Sequence, residues 1–269
     1  MTCLIVARGV MATTIFAPDA SIVPFDEFVE ILAKNDVVYL GEIHTSQEIH
    51  QAQLETIKRL ETRRPLIVAM EMFQTPYQKF LDAYAQGALS ESELLEATEY
   101  KKRWGYNHEF YLPILRFAKD HGIRLWATQI PTELVQQVQS AGIGNVQSPY
   151  LPNPPILPSK SYVDKLEEVY QGHPRMGSFE EFLDVQLGWD NGTALALLEA
   201  LRAHPKALVV VLIGQGHVQE GLGVPQILKA LAPWVSQTVC VPVFDPSELK
   251  PGDDFGILIQ GEEWNGGIG

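Results

Sequence analysis

Short runs of apolar residues alternate along the chain with longer stretches whose apolar positions recur at helical spacing. The first run, Val37 to Leu40, leads into Gly41-Glu42-Ile43-His44, and the segment from Gln47 to about Glu61 then carries apolar residues three and four positions apart. Short runs without polar alternation are typical of strands that are buried on both faces. The alternation therefore predicts an α/β fold, with a largely parallel central sheet flanked by helices.

The same alternation continues for most of the chain and predicts a single α/β domain over residues 23–262. It is preceded by an irregular segment, 1–22, and followed by a frayed tail, 263–269. A helical insertion is expected near Ser90 to His121, and the Gly- and Pro-rich stretch Ser140 to Ser159 is expected to form a lid or a mobile loop. The further strands are predicted at Leu66 to Met70, Ile123 to Ala127, Ala207 to Ile213, Thr238 to Val243 and Phe255 to Ile259, and the further helices at Phe25 to Lys34, Tyr77 to Tyr84, Tyr162 to Gln171 and Phe179 to Ala203.

Polar side chains stand where several of these strands end. Glu42 and His44 follow the first predicted strand, Glu71 follows the second, and His217 closes the segment Gly214-Gln215-Gly216-His217 after another. The carboxyl ends of parallel strands meet at one edge of a sheet, where α/β proteins bind ligands. Asp190 interrupts an otherwise apolar helix, and a buried carboxylate there must be paired or must bind a cation. We expect these five side chains to converge.

Two chemistries suit such a cluster, and the residues alone leave both open. Two imidazoles with two or three carboxylates are ligands for a divalent metal ion, which gives Glu42, His44, Glu71, Asp190 and His217 as the predicted metal set. Alternatively, His and Tyr side chains ligate haem iron, and nearby cations pair with its propionates. A purely structural alternative is that each histidine only caps or packs against the helix that follows.

The segment Lys101 to Tyr111 is the densest basic and aromatic cluster in a chain of net charge −13. As a structural element it would be a junction between two helices with aromatic residues in the core. As a binding element it offers cations beside an aromatic surface. We expect this segment, together with the Pro-rich loop Ser148 to Pro158, to form either a homodimer contact or a lid over the sheet edge.

Composition narrows the function classes further. The chain has 269 residues and a pI near 4.9, which argues against nucleic acid or an anionic membrane surface as the main partner. With only Cys3 and Cys240, neither a disulfide framework nor a cysteine-based zinc site is expected. The apolar segment after Cys3 is too short for a signal peptide or a transmembrane segment, so a cytoplasmic protein is expected. No nucleophile elbow, P-loop or complete dinucleotide fingerprint occurs in the sequence.

Several motifs together resemble the ChaN-like family, a haem-binding uptake family of the Tiki superfamily. The most specific are the two Gly-x-x-His segments, which end at His44 and His217, and Gly223-Val224-Pro225 after the second one. Further matches are Ala69-Met70-Glu71-Met72-Phe73, Trp104 with Tyr111 and Pro113, and Trp189-Asp190. The similarity extends over about Phe25 to Phe244.

This resemblance implies haem as the cofactor, often held between two copies of the chain. The residues expected to bind it are Arg103, Trp104, Tyr106, His108 and Tyr111, with Tyr106, His108 or Tyr111 as the axial ligand. The Tiki relatives imply a different activity, metal-dependent hydrolysis, in which Glu42, His44, Glu71 and His217 would be catalytic. Lipoprotein members carry an apolar signal before a cysteine, and Cys3 has no such segment before it.

Overall fold

The computed structural model describes residues 13–172 and 177–260, whose strands form one eight-stranded sheet. Across the sheet the strands run in the order β2-β1-β8-β7-β3-β6-β4-β5. All pairings from β8 to β5 are parallel, and only those made by β1 are antiparallel, so the predicted largely parallel sheet is confirmed. The strands are β1 (Ile15–Phe16), β2 (Ile22–Val23), β3 (Val37–Glu42), β4 (Leu66–Gln74), β5 (Arg124–Gln129), β6 (Leu208–Gly214), β7 (Gln237–Val243) and β8 (Phe255–Leu258).

Helices cover both faces of this sheet. In the part of the chain that the structure describes, no helix is both long enough and apolar enough to span a bilayer. The predicted helical insertion is present as α4 (Glu91–Ala97), α5 (Tyr100–Arg103) and α6 (Leu112–Asp120), and its first helix begins with a capping box between Ser90 and Glu93. The helices are α1 (Phe25–Leu32), α2 (Gln47–Glu61), α3 (Gln78–Ala85), α4 (Glu91–Ala97), α5 (Tyr100–Arg103), α6 (Leu112–Asp120), α7 (Thr132–Ala141), α8 (Lys160–Gln171), α9 (Phe179–Ala203) and α10 (Val224–Leu231).

Strand β3 shows how the sheet separates two apolar cores. All six of its residues are buried. Val38 and Leu40 point into the core that contains α1, α2 and α6, whereas Val37 and Tyr39 point into the core beneath α9 and α10. Because successive side chains of a strand alternate between faces, a continuous apolar run is required for burial on both sides. This centrally placed strand carries Glu42 at its carboxyl end.

The sequence pattern missed four elements. The segment 1–22, expected to be irregular, contributes β1 and part of β2, which extend the sheet beyond β8. Helix α7 follows Pro131, and α10 starts immediately after Gly223, so both lie in stretches where Gly and Pro indicate breaks in regular structure. The tail expected at 263–269 lies outside the described residues.

The Pro-rich loop is anchored on α9 rather than exposed along its length. The backbone N–H of Ile156 donates to Asn191 Oδ1 at 2.8 Å, and Asn191 Nδ2 donates back to the Ile156 carbonyl at 3.1 Å. Leu151 is buried, while Leu157 remains 73% exposed. Among the apolar loop residues Leu151, Ile156 and Leu157, only Leu157 is strongly exposed.

Candidate functional site

The five predicted cluster residues lie at or near one edge of the sheet. Glu42 ends β3, Glu71 lies within β4, and His217 lies in the short 3₁₀ turn that follows β6. Because β6 pairs with both β3 and β4, the polar ends of these strands are neighbours. Asp190 approaches them from the middle of α9 and hydrogen-bonds His217. His44 follows Glu42 and turns back to contact it.

Glu42 is buried and orients the His44 ring. Its Oε1 lies 2.8 Å from His44 Nδ1 and accepts a 2.6 Å hydrogen bond from the Tyr111 hydroxyl. Its Oε2 accepts a hydrogen bond from Gln53 Nε2 at 2.9 Å. A carboxylate can only accept, so His44 carries a proton on Nδ1 and presents its Nε2 edge to the rest of the site.

A second arrangement of the same kind lies on α9. Asp190 is fully buried and accepts hydrogen bonds from Tyr162 on one oxygen and from His217 Nδ1, at 2.7 Å, on the other. Gly223 allows this packing, because a Cβ at that position would overlap the His217 carbonyl and lie 3.1 Å from the Tyr162 hydroxyl. Each imidazole is therefore held by a buried carboxylate that also binds a buried tyrosine.

Glu71 lies between the two imidazoles. Its Oε1 is 3.5 Å from His217 Nε2, and its Oε2 accepts a 2.7 Å hydrogen bond from the backbone N–H of Gly214. A Cβ on Gly214 would be 3.0 Å from His44 Nε2 and 3.6 Å from Glu71 Oε2. Glycine at the end of β6 thus leaves room for both the His44 ring and the Glu71 carboxylate above the strand.

The charges of these groups depend on one another. Burial by itself would raise the pKa of Glu42, but its hydrogen bonds and the charges of His50 and His44 hold it below its usual value. Burial would lower the pKa of His44, yet the hydrogen bond to Glu42 and the charges of Glu71 and Glu42 raise it. Both shifts favour the charged forms of the pair.

His217 is the most strongly shifted imidazole of the site. Burial would lower its pKa, but the charge and hydrogen bond of Asp190, together with the charge of Glu71, raise the pKa to about 9. At neutral pH His217 is therefore an imidazolium that lies between two carboxylates.

Gln53 and His50, two polar residues of α2, hold the segment from Leu40 to His44 in place. The Gln53 amide also donates to the Leu40 carbonyl, and the His50 ring nitrogens lie 3.0 Å from Gln53 Oε1 and 3.2 Å from the His44 carbonyl. Both side chains are buried on the apolar face of α2. A buried polar residue on such a face needs a hydrogen-bond partner, so the position of Gln53 on α2 could have indicated its role.

Two of the residues expected to bind haem lie beside His44. The ring centres of Trp104 and Tyr106 are 4.8 and 4.7 Å from that of His44. Tyr106 is half-buried, and no described residue hydrogen-bonds its hydroxyl. The Trp104 indole Nε1 is buried and also lacks a partner among the described residues. This aromatic pair covers the His44 side of the site.

The other three residues expected to bind haem face different partners. Tyr111 is fully buried, with its hydroxyl bound to Glu42. Arg103 donates to Glu99, Gln74 and Glu133, which ties the insertion to α7 and leaves no guanidinium group for a propionate. The His108 side chain is 42% exposed and lies 3.4 Å from Glu109. Local sequence could not reveal these commitments, because most of the partners are distant in the chain.

The predicted metal set meets at the site but forms two separate imidazole–carboxylate pairs. Within the described ranges 13–172 and 177–260, no three His, Cys, Asp or Glu side chains are arranged to hold a metal ion. Each Nδ1 of the two histidines is engaged by its own carboxylate. A carboxylate at Nδ1 fixes each ring and leaves its Nε2 for proton transfer or for contact with a ligand.

A cavity of about 200 Å³ opens beside the imidazoles, between the strand ends and helices α8 and α9. One part is apolar and the other is polar, with His44, His217 and Tyr106 at the polar end. Sequence reasoning did not single out the lining residues that α8, α9 and the turns after β6 contribute. They include Lys165, Leu166, Phe182, Gln186, Gln215 and Gln219.

Comparisons with known proteins agree with this fold. A family model described as haem-binding uptake, Tiki superfamily, ChaN matches residues 28–228. The structure of ChaN of Campylobacter jejuni with cofacially bound haem superposes with a TM-score of 0.74 at 18% identity, covering 93% of this chain and 97% of that one. A mutant of the erythromycin esterase EreC in its open conformation gives a TM-score of 0.51 at 14% identity, covering 86% and 77%. Both likenesses concern the fold.

One curated sequence relative comes from a plant. Protein RETICULATA-RELATED 5, chloroplastic, of Arabidopsis thaliana is 29% identical over 122 residues, which is 42% of this chain. The match covers 16% of the length of that protein. It therefore concerns a shared segment and not the whole relative.

Asp190→Asn should change how stability depends on pH. The folded pKa of His217, about 9, lies above the unfolded value of about 6.5. Its contribution is therefore fully present below about pH 6.5 and is lost as the pH rises through about 9. We expect Asp190→Asn to lower the free energy of unfolding by about 3 kcal/mol near pH 6 and by much less at about pH 9.5. Urea unfolding over this range measures the difference.

Asp164→Asn is the matched control, because Asp164 is an exposed partner of Lys160 on α8. It should leave the pH profile close to that of the wild type. If the free energy of unfolding varied with pH in the same way in wild type and Asp190→Asn, the Asp190–His217 pair would not be the source of that pH dependence.

Proposed function

This chain belongs to the haem-binding uptake family of the Tiki superfamily that includes ChaN, and on that basis we propose that it binds haem through Tyr106. The observation that carries the proposal is the Tyr106 hydroxyl, which lines the cavity mouth and has no hydrogen-bond partner among the described residues. Tyrosine oxygen is an established axial ligand of haem iron. Tyr111 lacks this freedom, because its hydroxyl is bound to buried Glu42.

The shape of the site favours haem at the mouth of the cavity and not inside it. Pockets that enclose drug-sized ligands are about 300–1,000 Å³, and this cavity is about 200 Å³. The rings of Trp104 and Tyr106, with centres 5.3 Å apart, provide an apolar surface at its edge. A macrocycle lying there would cover one of its faces and leave the other open.

The cations that we propose for the propionates are not Arg103, the one expected from the sequence. Arg103 is engaged by two carboxylates, so we assign this role to Lys101 and Lys102 on the same short helix. Both lysines are exposed, and the side chain of Lys102 is 76% accessible. A lysine carries its ammonium on a flexible four-carbon stem, which can follow a propionate at the surface.

Tyr106→Phe should weaken haem binding by at least about tenfold, because it removes the proposed iron ligand and keeps the ring. Titration of haemin into the purified protein, followed at the Soret band, measures both affinity and coordination. Tyr150→Phe is the matched control, since Tyr150 is a half-buried tyrosine in another apolar cluster. Tyr111→Phe should cost about 1–3 kcal/mol of stability through the lost bond to Glu42 and should keep the haem spectrum.

The axial assignment would be refuted if Tyr106→Phe bound haemin with the affinity and Soret maximum of the wild type. Loss of binding in Tyr150→Phe as well would point to a general packing effect.

We further propose that haem brings two copies of the chain together. A flat ligand with one open face suits a twofold contact, in which the same surface is used on both copies. Sedimentation with and without haemin should show a dimer only with haemin, and Trp104→Ala should abolish it. Trp234→Ala, which removes a 73% exposed tryptophan, is the matched control and should still dimerise. A monomer under every condition at high protein concentration would end this proposal.

A second candidate function is hydrolysis, and the placement of Glu71 favours it. Glu71 lies between two imidazoles whose Nδ1 atoms are anchored by carboxylates, an arrangement in which protons can be taken from water and given to a leaving group.

Hydrolysis of activated esters tests this candidate. Wild-type protein should turn over p-nitrophenyl esters, and Glu71→Gln should lower kcat by about 10²-fold or more. Glu133→Gln, at an exposed partner of Arg103, is the control. Elemental analysis of the same sample reports any bound metal. Equal rates in wild type and Glu71→Gln would remove the hydrolase candidate.

A further inference from the structure

Gln186 is a buried amide without a partner. Only 8% of the residue is exposed, and no described residue hydrogen-bonds its side chain, although it lines the cavity. It lies on α9 one turn before Asp190, so both face the same side of the helix. Its amide atoms are accessible from the cavity, so its N–H donors and its carbonyl oxygen are available to a polar group there. Gln186 therefore points to a polar group of a bound molecule.

The cavity sets the size of that molecule. Phe182 and Leu166 are almost fully buried and form an apolar wall beside Gln186. An apolar protein cavity of about 150 Å³ holds a benzene molecule. At about 200 Å³, this cavity fits a single ring or a short alkyl chain that carries one small polar group. Haem is much larger, so this occupant is a different ligand.

The lining residues favour an acceptor group with negative charge. Lys165 supplies a cationic Nζ at the wall, held 3.1 Å from Glu220 and 3.3 Å from the Gln219 carbonyl. The one carboxylate among the described lining residues is Glu42, and each of its oxygens already accepts a hydrogen bond. The amide N–H groups of Gln186 add donors without adding charge.

We propose that this cavity binds a small amphipathic carboxylate, an aryl- or alkyl-carboxylic acid, whose head group accepts hydrogen bonds from Gln186 and pairs with Lys165. The apolar body lies against Phe182 and Leu166. Binding at this position involves neither the Tyr106 hydroxyl nor haem iron, so it holds whether or not haem binds at the mouth.

Calorimetric titration of the haem-free protein with 3-phenylpropionate tests the proposal. We expect saturable binding with one site per chain. Gln186→Leu keeps the size of the side chain and removes its donors, and it should weaken binding by about tenfold or more. Gln186→Glu places a negative charge at the same position and should weaken it further. Gln136→Leu, on the exposed side of α7, is the matched control and should bind as the wild type does.

The neutral probe 3-phenylpropionamide distinguishes charge from shape. It should bind at least about tenfold more weakly than the acid, because Lys165 then has no anion to pair with. Equal affinity for acid and amide would overturn the carboxylate assignment. Absence of saturable binding, or unchanged affinity in Gln186→Leu with its fold verified by thermal unfolding, would overturn the site. Haemin titration of the same samples reports separately on the proposed haem function.

Discussion

Two carboxylates removed from water, Glu42 and Asp190, impose the arrangement of the whole site. A buried charge is tolerated only when hydrogen bonds and counter-charges compensate for its lost hydration. Each carboxylate meets this demand with one tyrosine hydroxyl and one imidazole Nδ1–H. The requirement fixes the orientation of both histidines, and it places the Nε2 of His217 3.5 Å from Glu71. The chemistry of the site is thus a consequence of charge burial as much as of residue identity.

Site residues that directly follow a strand could be predicted from the sequence. Partners that come from distant parts of the chain could not. Glu42, His44 and His217 could be predicted because apolar runs stop beside them, and parallel strands present those stops at one edge. Tyr162 could not be predicted as a site residue, because 28 positions separate it from its partner Asp190 along the chain. Arg103 looked like a haem cation, yet its distant carboxylate partner Glu133 lies 30 positions away. Periodicity reports which face is buried, and it does not report which distant groups meet there.

The site combines two binding environments of different size. Outside, Trp104 and Tyr106 form an aromatic surface that a large flat ligand can cover without being enclosed. Inside, Gln186 and Phe182 line a compartment suited to a molecule of roughly one ring. His44 borders both environments, because its ring contacts the aromatic pair and lines the cavity. A ligand in either compartment would therefore lie beside the same imidazole, that of His44.

The two histidines are held in place in different ways. His44 is fixed to a central strand, whereas His217 is held by Asp190 from a 25-residue helix that crosses the site. Gly192 brings that helix into close contact with the loop at Ile130, where a methyl group would already collide. Because the His217 ring is hydrogen-bonded to Asp190, its orientation depends on where α9 packs against the sheet. The distance between the imidazoles therefore depends on the packing of this helix against the sheet as well as on the strand ends that carry both histidines.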